Sequence, residues 1–254
     1  MGIFVKNEEQ IKKMRVASKI VAATHDLMEK NIRPGISTRE LNNIAEEYIR
    51  GCGADPSFLG YKMTGEGFPA AICVSINEEV IHGIPGLRRL KNGDIVSIDI
   101  GAYIDRFHGD AARTYAVGTV APEKRMLIDV TKQSFFEAMS YARHGRHLHE
   151  MSNAVEDYVA RYGFSVVREF CGHGVGRKMH EDPQIPHYKQ QSRGPRLQRG
   201  MTLAIEPMVT MGKPDIRILN DNWTVVTKDG KCAAHYENTV LITDGEPDIL
   251  TILC

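Results

Sequence analysis

Four acidic residues stand in matching places in two stretches of the chain, and their surroundings raise the first chemical question. GDIVSIDIGAYIDRFHGD, Gly93 to Asp110, carries Asp99 and Asp110 beside β-prone runs, while TLAIE and HYENTV carry Glu206 and Glu237. Alternation along Asp94 to Ile100 puts Val96, Ile98 and Ile100 on one face and Ile95, Ser97 and Asp99 on the other. Asp99 therefore points with residues expected to be at least partly buried. An unpaired buried carboxylate is costly or takes up a proton. Taken singly, each acid has an ordinary explanation as an arginine salt bridge or a turn cap. Four converging acids repel one another unless cations lie between them. Divalent cations accept carboxylate oxygen and imidazole, and a pair about 3.5–4 Å apart is a common solution in carboxylate-rich hydrolytic sites.

Imidazole donors are at hand. CGHGVG places His173 between two glycines, where the backbone could turn sharply and bring the ring close. VIHGIP offers a similar setting for His82, and KMHEDPQIPH supplies His180. If the two glycine-flanked motifs correspond, the path from His173 to Glu206 is 33 residues against 17 from His82 to Asp99. The second half then carries a longer loop. His108 and His235 precede matching carboxylates and read as packing or ligand-supporting residues. Asp105 reads as a solvated turn residue.

The elements that must position these groups form an internal repeat. RLKNGDIVSID (Arg89 to Asp99) lies over RLQRGMTLAIE (Arg196 to Glu206) at an offset of 107, and His108-Gly109-Asp110 lies over His235-Tyr236-Glu237. Upstream, PGISTRELNNIAEEYI lies over HGRHLHEMSNAVEDYV at an offset of 110. Helical periodicity marks Gln10 to Lys30 and Thr38 to Arg50, the second capped by Ser37 or Thr38 and turning Leu41, Ile44, Ala45, Tyr48 and Ile49 inward. Lys124 to Arg143 and His149 to Tyr162 repeat the pair. After each pair the pattern turns to strands: AAICVSI, DIVSIDIGAYI and RTYAVGTV, then FSVVREF, TLAIEPMVTM, WTVVTK and NTVLIT. A pseudo-two-fold arrangement of the halves, roughly 10–120 and 121–252, brings their acids together at one shared site. Residues 1–254 are expected to form a single domain.

Composition narrows the class. The chain of 254 residues is 42% hydrophobic and 25% charged, the balance of a soluble globular fold. Thirty-two basic side chains match 32 acidic ones, so no overall field favours nucleic acid or anionic lipid. No apolar run reaches the 18 residues of a membrane span, and no signal peptide opens the chain, which points to the cytoplasm. The five cysteines, Cys52, Cys73, Cys171, Cys232 and Cys254, form no C-x-x-C pair and read as reduced thiols. GHGVG lacks the G-x-G-x-x-G spacing, HLHEMSN lacks the second histidine of H-E-x-x-H, and no G-x-S-x-G elbow occurs. Metal-assisted hydrolysis is the chemistry left.

The set IDIG, HGDAART, GHGVGRKMHEDPQIPHY, LAIEPM and HYENTV resembles the methionine aminopeptidases, over about Ile11 to Ile252. The resemblance implies an α+β pita-bread fold, two pseudo-symmetric αβ halves with a curved, mainly antiparallel sheet and helices on its outer face. It implies two divalent ions, cobalt, manganese, iron or zinc, with Asp99 chelating one, Asp110 and Glu237 bridging both, and His173 and Glu206 completing the other. A metal-bridged water or hydroxide would attack the first peptide bond of a nascent protein or peptide with a small second residue. His180 would polarise the carbonyl, Glu206 would carry the proton, and His82 would contact the scissile amide. The methionine pocket maps onto Phe58, Tyr61, Phe68, Cys73, Met179 and the sole tryptophan, Trp223.

Two departures bear on that pocket: YKMTGEGFP is longer than the family's loop, and Met179 stands where an aromatic is common. The chain resembles the short bacterial type I form, with neither a zinc-finger extension nor the type II insertion, and its Met1-Gly2 start suits the family's own rule. A monomer acting on nascent chains, in reach of the ribosome exit, without membrane or sequence-specific nucleic-acid binding, is the implied setting. Two other readings remain: an X-Pro aminopeptidase or prolidase, which usually carries an extra amino-terminal domain, and a non-catalytic module of the same fold.

Overall fold

The computed structural model describes residues 2–62 and 65–253. Met1, Met63, Thr64 and Cys254, part of the start, loop and cysteine readings above, lie outside the described residues. The first half runs α1 (Glu8–Asn31), α2 (Thr38–Gly51), β1 (Asp55–Pro56), β2 (Ile72–Ile76), β3 (Glu79–Ile81), β4 (Ile95–Ile104) and β5 (Phe107–Ala116). The second opens with α3 (Pro122–Met139), α4 (Leu148–Ala160), β6 (Ser165–Val166), β7 (Gly172–Gly174), β8 (Glu181–Ile185) and β9 (Thr202–Ile205). It closes with β10 (Met208–Thr210), β11 (Ile216–Ile218), β12 (Val225–Thr227), β13 (Ala233–His235), β14 (Asn238–Leu241) and β15 (Asp248–Ile249).

Local chemistry sets the ends of these elements. α1 starts two residues before the expected Gln10, because Asn7 and Gln10 cap each other's backbone N–H groups. Ser37 and Glu40 form the same box on α2. Leu41, Ala45 and Ile49 fill the buried stripe of α2, whereas Tyr48, expected to face inward, lies at its edge and is exposed. α3 gains Pro122 at its start and stops at Met139, short of Arg143, where the chain turns toward Gly145 at φ +86°. The β4–β5 hairpin closes on Asp105 and Arg106, both left-handed at φ 52° and 69° as a two-residue type I′ turn requires. Asp105 is the exposed turn residue the sequence suggests.

The repeat is visible bond by bond. Ser37 bridges to Arg89 and His147 to Arg196. Arg89 donates to Gly35 O and Arg196 to Gly145 O, while the N–H groups of Gly35 and Gly145 donate to Leu90 O and Leu197 O. These partners are related by the 107- and 110-residue offsets, so two chain segments with different side chains make the same turn.

In the first half β4 pairs with β5 on one side and with β1 and β2 on the other; in the second the order is β15-β14-β9-β7-β8, and all the pairs are antiparallel. Val96, Ile98 and Ile100 enter the core under α1 and α2, while Ile95 enters the core under α3 and α4. The halves meet along β5 and β14. There Glu237 N–H donates to Ala112 O at 2.9 Å. The Thr239 hydroxyl accepts from Asp110 N–H at 3.1 Å and donates to Asp110 O at 2.9 Å, so one side chain clips both backbone groups of an acid from the other half.

Candidate metal centre

Asp99 lies inside β4 opposite Ala112, and Asp110 inside β5 opposite Gly101. Glu206 directly follows β9 and Glu237 directly precedes β14, strands that pair through Asn238 and Ile205. In the first half the paired strands are a tight hairpin. In the second the same pairing is interrupted by β10 to β13, which explains why Glu206 and Glu237 stand far apart in sequence.

His173 reaches the acids differently from the expected sharp turn. It sits in β7, sandwiched between β8 and β9, and its glycine neighbours serve close strand approach: a Cβ on Gly172 would meet Ala204 O at 2.4 Å and one on Gly174 would meet Asp182 O at 2.3 Å. Nor does His82 occupy the matching place in the first half. His173 pairs with Ala204 and Ser75 pairs with Ser97, so the 107-residue offset makes Ser75 the counterpart of His173. His82 follows β3 at φ +58°, and Gly83 behind it presses on the backbone of Val74. The presumed long loop after His173 is partly strand, because β8 begins directly after His180.

Ligand atoms of Asp110, His173 and Glu237 lie within 4.8 Å of one another, all three residues buried. His173 Nε2 is 3.7 Å from Asp110 Oδ2 and 3.4 Å from Glu206 Oε1. Its Nδ1 bonds Gly174 O at 2.9 Å, which places the proton there and leaves the Nε2 lone pair facing the acids. Among the described residues Asp99 Oδ1, Asp110 Oδ1 and Glu237 Oε1 are buried without a hydrogen-bond partner. Burial, with charge from the neighbouring acids, pushes the Asp110 and Glu237 carboxyls well up; burial does the same for Glu206, and lifts Asp99 to about 7. Burial depresses His173 to about 3 and His180 and His82 to about 4, so these imidazoles are neutral donors. Orphaned carboxylate oxygens around a neutral imidazole fit a divalent cation: positive charge is the one component this buried cluster lacks.

A model of metallopeptidase family M24 matches residues 12–244. The chain belongs to metallopeptidase family M24. Methionine aminopeptidase of Clostridium perfringens is 52% identical over 251 residues, covering 99% of each chain. A crystal structure of methionine aminopeptidase from Thermotoga maritima superposes with a TM-score of 0.96 at 41% identity, covering 99% of this chain and 100% of that one. Prolidase from Pyrococcus furiosus shares the fold, at a TM-score of 0.77 and 24% identity over 98% of this chain and 66% of that one. The α+β pita-bread architecture is that of these M24 neighbours.

In this M24 chain the cluster closes one end of a small cavity of about 40 Å³, room for about three waters. Phe58, Tyr61, Phe68, Cys73 and Trp223 line its apolar end, and Met179 packs in the same buried apolar cluster without lining the cavity. Phe68 and Trp223 meet edge to face at 5.2 Å, and Met179 reaches toward Gly101 on β4. His82 stands edge-on to Phe170 and Trp223, with ring centres 5.7 and 6.1 Å away. His82, His173, His180 and Glu206 also line a larger cleft of about 650 Å³, so these four side chains stand where cavity and cleft adjoin.

Two contributors, His187 and Ile84, leave no motif in the sequence. His187 Nε2 accepts from Glu206 N–H at 3.1 Å and holds the end of β9 in place. Ile84 joins the apolar cluster. Tyr61 hydroxyl meets His180 Nδ1 at 2.5 Å. Burial, then the Asp110 charge, raises Tyr61, so its hydroxyl keeps its proton; where that hydroxyl donates to Nδ1, His180 carries its own proton on Nε2. His235 Nε2 lies 3.5 Å from Glu206 Oε2, beside the cluster, and His108 bonds the Ser57 hydroxyl at 2.9 Å.

Proposed function

We propose that this M24 chain removes the N-terminal methionine from peptides and nascent proteins with a small second residue. One observation carries the reading: a small cavity, lined at one end by Phe58, Phe68, Cys73 and Trp223, ends at the carboxylate cluster and shares His82, His173, His180 and Glu206 with the larger cleft. A substrate can enter such a cavity only with its terminal residue. Soft, polarisable contacts from aromatic edges, Cys73 and Met179 suit a thioether.

Asp99, Asp110, His173, Glu206 and Glu237 would hold two divalent ions, drawn from cobalt, manganese, iron and zinc. When bound, such ions polarise a carbonyl oxygen and lower the pKa of a bound water from about 15.7 to about 7. The chain's own groups do the rest. Phe58, Phe68, Cys73, Met179 and Trp223 bind the first side chain, with Tyr61 at the mouth. His180, bonded to Tyr61 through Nδ1, polarises the carbonyl by a hydrogen bond from its Nε2–H to the carbonyl oxygen, with no proton transferred. Glu206, where cavity and cleft join, holds a proton and passes it to the departing amine. His82, on the same passage, orients the scissile amide. Residues 1–254 act as one catalytic domain, and the setting extends to a cytoplasmic monomer meeting nascent chains near the ribosome exit. Among the described residues no helix is long and apolar enough to cross a membrane.

Because prolidases share the fold, substrate choice is the test. Mass spectrometry of Met-Ala-Ser, Met-Leu-Ser and Ala-Pro-Ser after incubation with metal-loaded protein should show methionine released from the first, at least tenfold less from the second, and none of the third cut. Cleavage of Ala-Pro-Ser with Met-Ala-Ser intact would overturn the assignment.

A further inference from the structure

The segment ahead of α1 forms no helix or strand, yet it is held firmly against the cleft. Lys6 N–H donates to Gly200 O at 2.8 Å, and its ammonium pairs with the Glu181 carboxylate at 2.6 Å, the two side chains only 5% and 8% exposed. The seat is built for the segment. A Cβ on Gly200 would meet Lys6 O at 2.7 Å, and one on Gly176 would meet Lys6 Cε at 2.6 Å.

Upstream of that pin, Gly2 and Phe4 line the 650 Å³ cleft that shares His82, His173, His180 and Glu206 with the small cavity. Phe4 is 65% exposed. An exposed aromatic taken singly is unremarkable on a protein surface, but this one belongs to a pinned segment and faces the route that leads from the metal centre. Arg177, whose guanidinium lies 5.8 Å over the Phe107 ring, lines the same cleft and adds a flat, weakly hydrated surface beside it.

We propose that the Gly2–Lys6 segment is a subsite for the third and fourth residues of the substrate, with Phe4 receiving an apolar or aromatic side chain. The inference rests on the aminopeptidase reading. A peptide whose first side chain fills the small cavity has the adjoining cleft for its following residues, advancing about 3.3 Å per residue if extended. Its third and fourth residues then run past the cleft wall. The Lys6–Glu181 pair keeps that wall in place, and β8, which carries Glu181, starts directly after His180.

The test compares kcat/KM for Met-Ala-Phe-Phe-Ser and Met-Ala-Ser-Ser-Ser in the metal-loaded protein, its Phe4→Ala variant and its Phe4→Leu variant, with Met-Ala-Ser as reference. The unaltered protein should prefer the phenylalanine peptide by about five- to tenfold, mostly through KM, the scale of a partly buried ring. Phe4→Ala should bring the ratio close to one, and Phe4→Leu should keep most of it. An unchanged ratio in Phe4→Ala, or no preference in the unaltered protein, overturns the subsite while Met-Ala-Ser cleavage stands. No methionine release from Met-Ala-Ser overturns the aminopeptidase reading and the subsite with it.

Discussion

At the scale of single residues, the centre depends on buried acids that no lysine or arginine side chain pairs with among the described residues. Asp110 and Glu237 come from different halves, and each leaves one carboxylate oxygen unpartnered. Asp110→Ala or Glu237→Ala should lower kcat more than about a hundredfold, beyond the 10- to 100-fold expected for a merely supporting residue. Elemental analysis should show metal content falling below two per chain, with circular dichroism close to that of the unaltered protein. Full activity in either variant contradicts the shared centre. His180→Ala should reduce kcat by about 10²- to 10³-fold with little change in KM, as for loss of one donor to a developing oxyanion. These residues were legible because acids repeat where packing residues belong. His187 and Tyr61 were harder to read: a histidine that accepts from a backbone N–H and a tyrosine that fixes a tautomer leave no spacing signal.

At the scale of elements, β5 and β14 lie side by side, and a hydroxyl rather than a regular ladder secures Asp110. Arg113 adds bonds to Glu237 O, to Asn238 Oδ1 at 2.6 Å and to Thr251 O at 3.3 Å, so the last described segment of the chain is tied to the same seam. Thr239→Val keeps the shape and leaves two buried backbone groups of Asp110 without that partner. Urea titration should show a loss of about 1–3 kcal/mol, and isothermal titration with Mn²⁺ about 10- to 100-fold weaker binding. Thr239→Ser should restore most of both. The helices were readable from their 3.6-residue period, but β7 and β8 were not. Gly172–Gly174 is too short and too glycine-rich to carry strand propensity, and it is a strand because its neighbours approach where only glycine fits.

α1 and β5 also carry an acid-sensitive contact. His25 Nε2 bonds Ala111 O at 2.8 Å and Nδ1 meets Tyr115 hydroxyl at 3.0 Å, with burial depressing the ring to about 3. A folded pKa below the unfolded value near 6.5 means the unfolded chain binds the extra proton. Stability is therefore intact above about pH 6.5 and lost as pH falls toward 3. His25→Gln removes that dependence. Urea curves at pH 7 and pH 5 should show the variant gaining about 2 kcal/mol on the unaltered protein at the lower pH. Equal differences at both pH values contradict a neutral, buried His25.

At the scale of the whole molecule, the repeat explains why one site serves two halves. Matching bonds at Gly35 and Gly145, and at Arg89 and Arg196, fix both halves in the same frame, and the frame brings β5 against β14. The repeat was readable as an offset, but sequence likeness misplaced one correspondence. VIHGIP resembles CGHGVG, while pairing register assigns Ser75 to the place of His173. Register is set by strand pairing across long separations, which a local motif does not report. The site is therefore symmetric in its acids and asymmetric in its imidazole.

Cations bound between the halves should stabilise the fold as a unit, by about 2.7 kcal/mol at a free concentration a hundred times the Kd. Calorimetry before and after chelation should show one transition shifting down; two transitions of which only one moves would contradict a centre shared by both halves. The most direct test of the account follows methionine release from Met-Ala-Ser as metal-free protein is titrated with Mn²⁺ or Co²⁺. The account predicts no release without metal, activity rising as ion is added, and saturation by two equivalents per chain. Methionine release that is undiminished in the metal-free protein, or absent at every metal concentration, would contradict it.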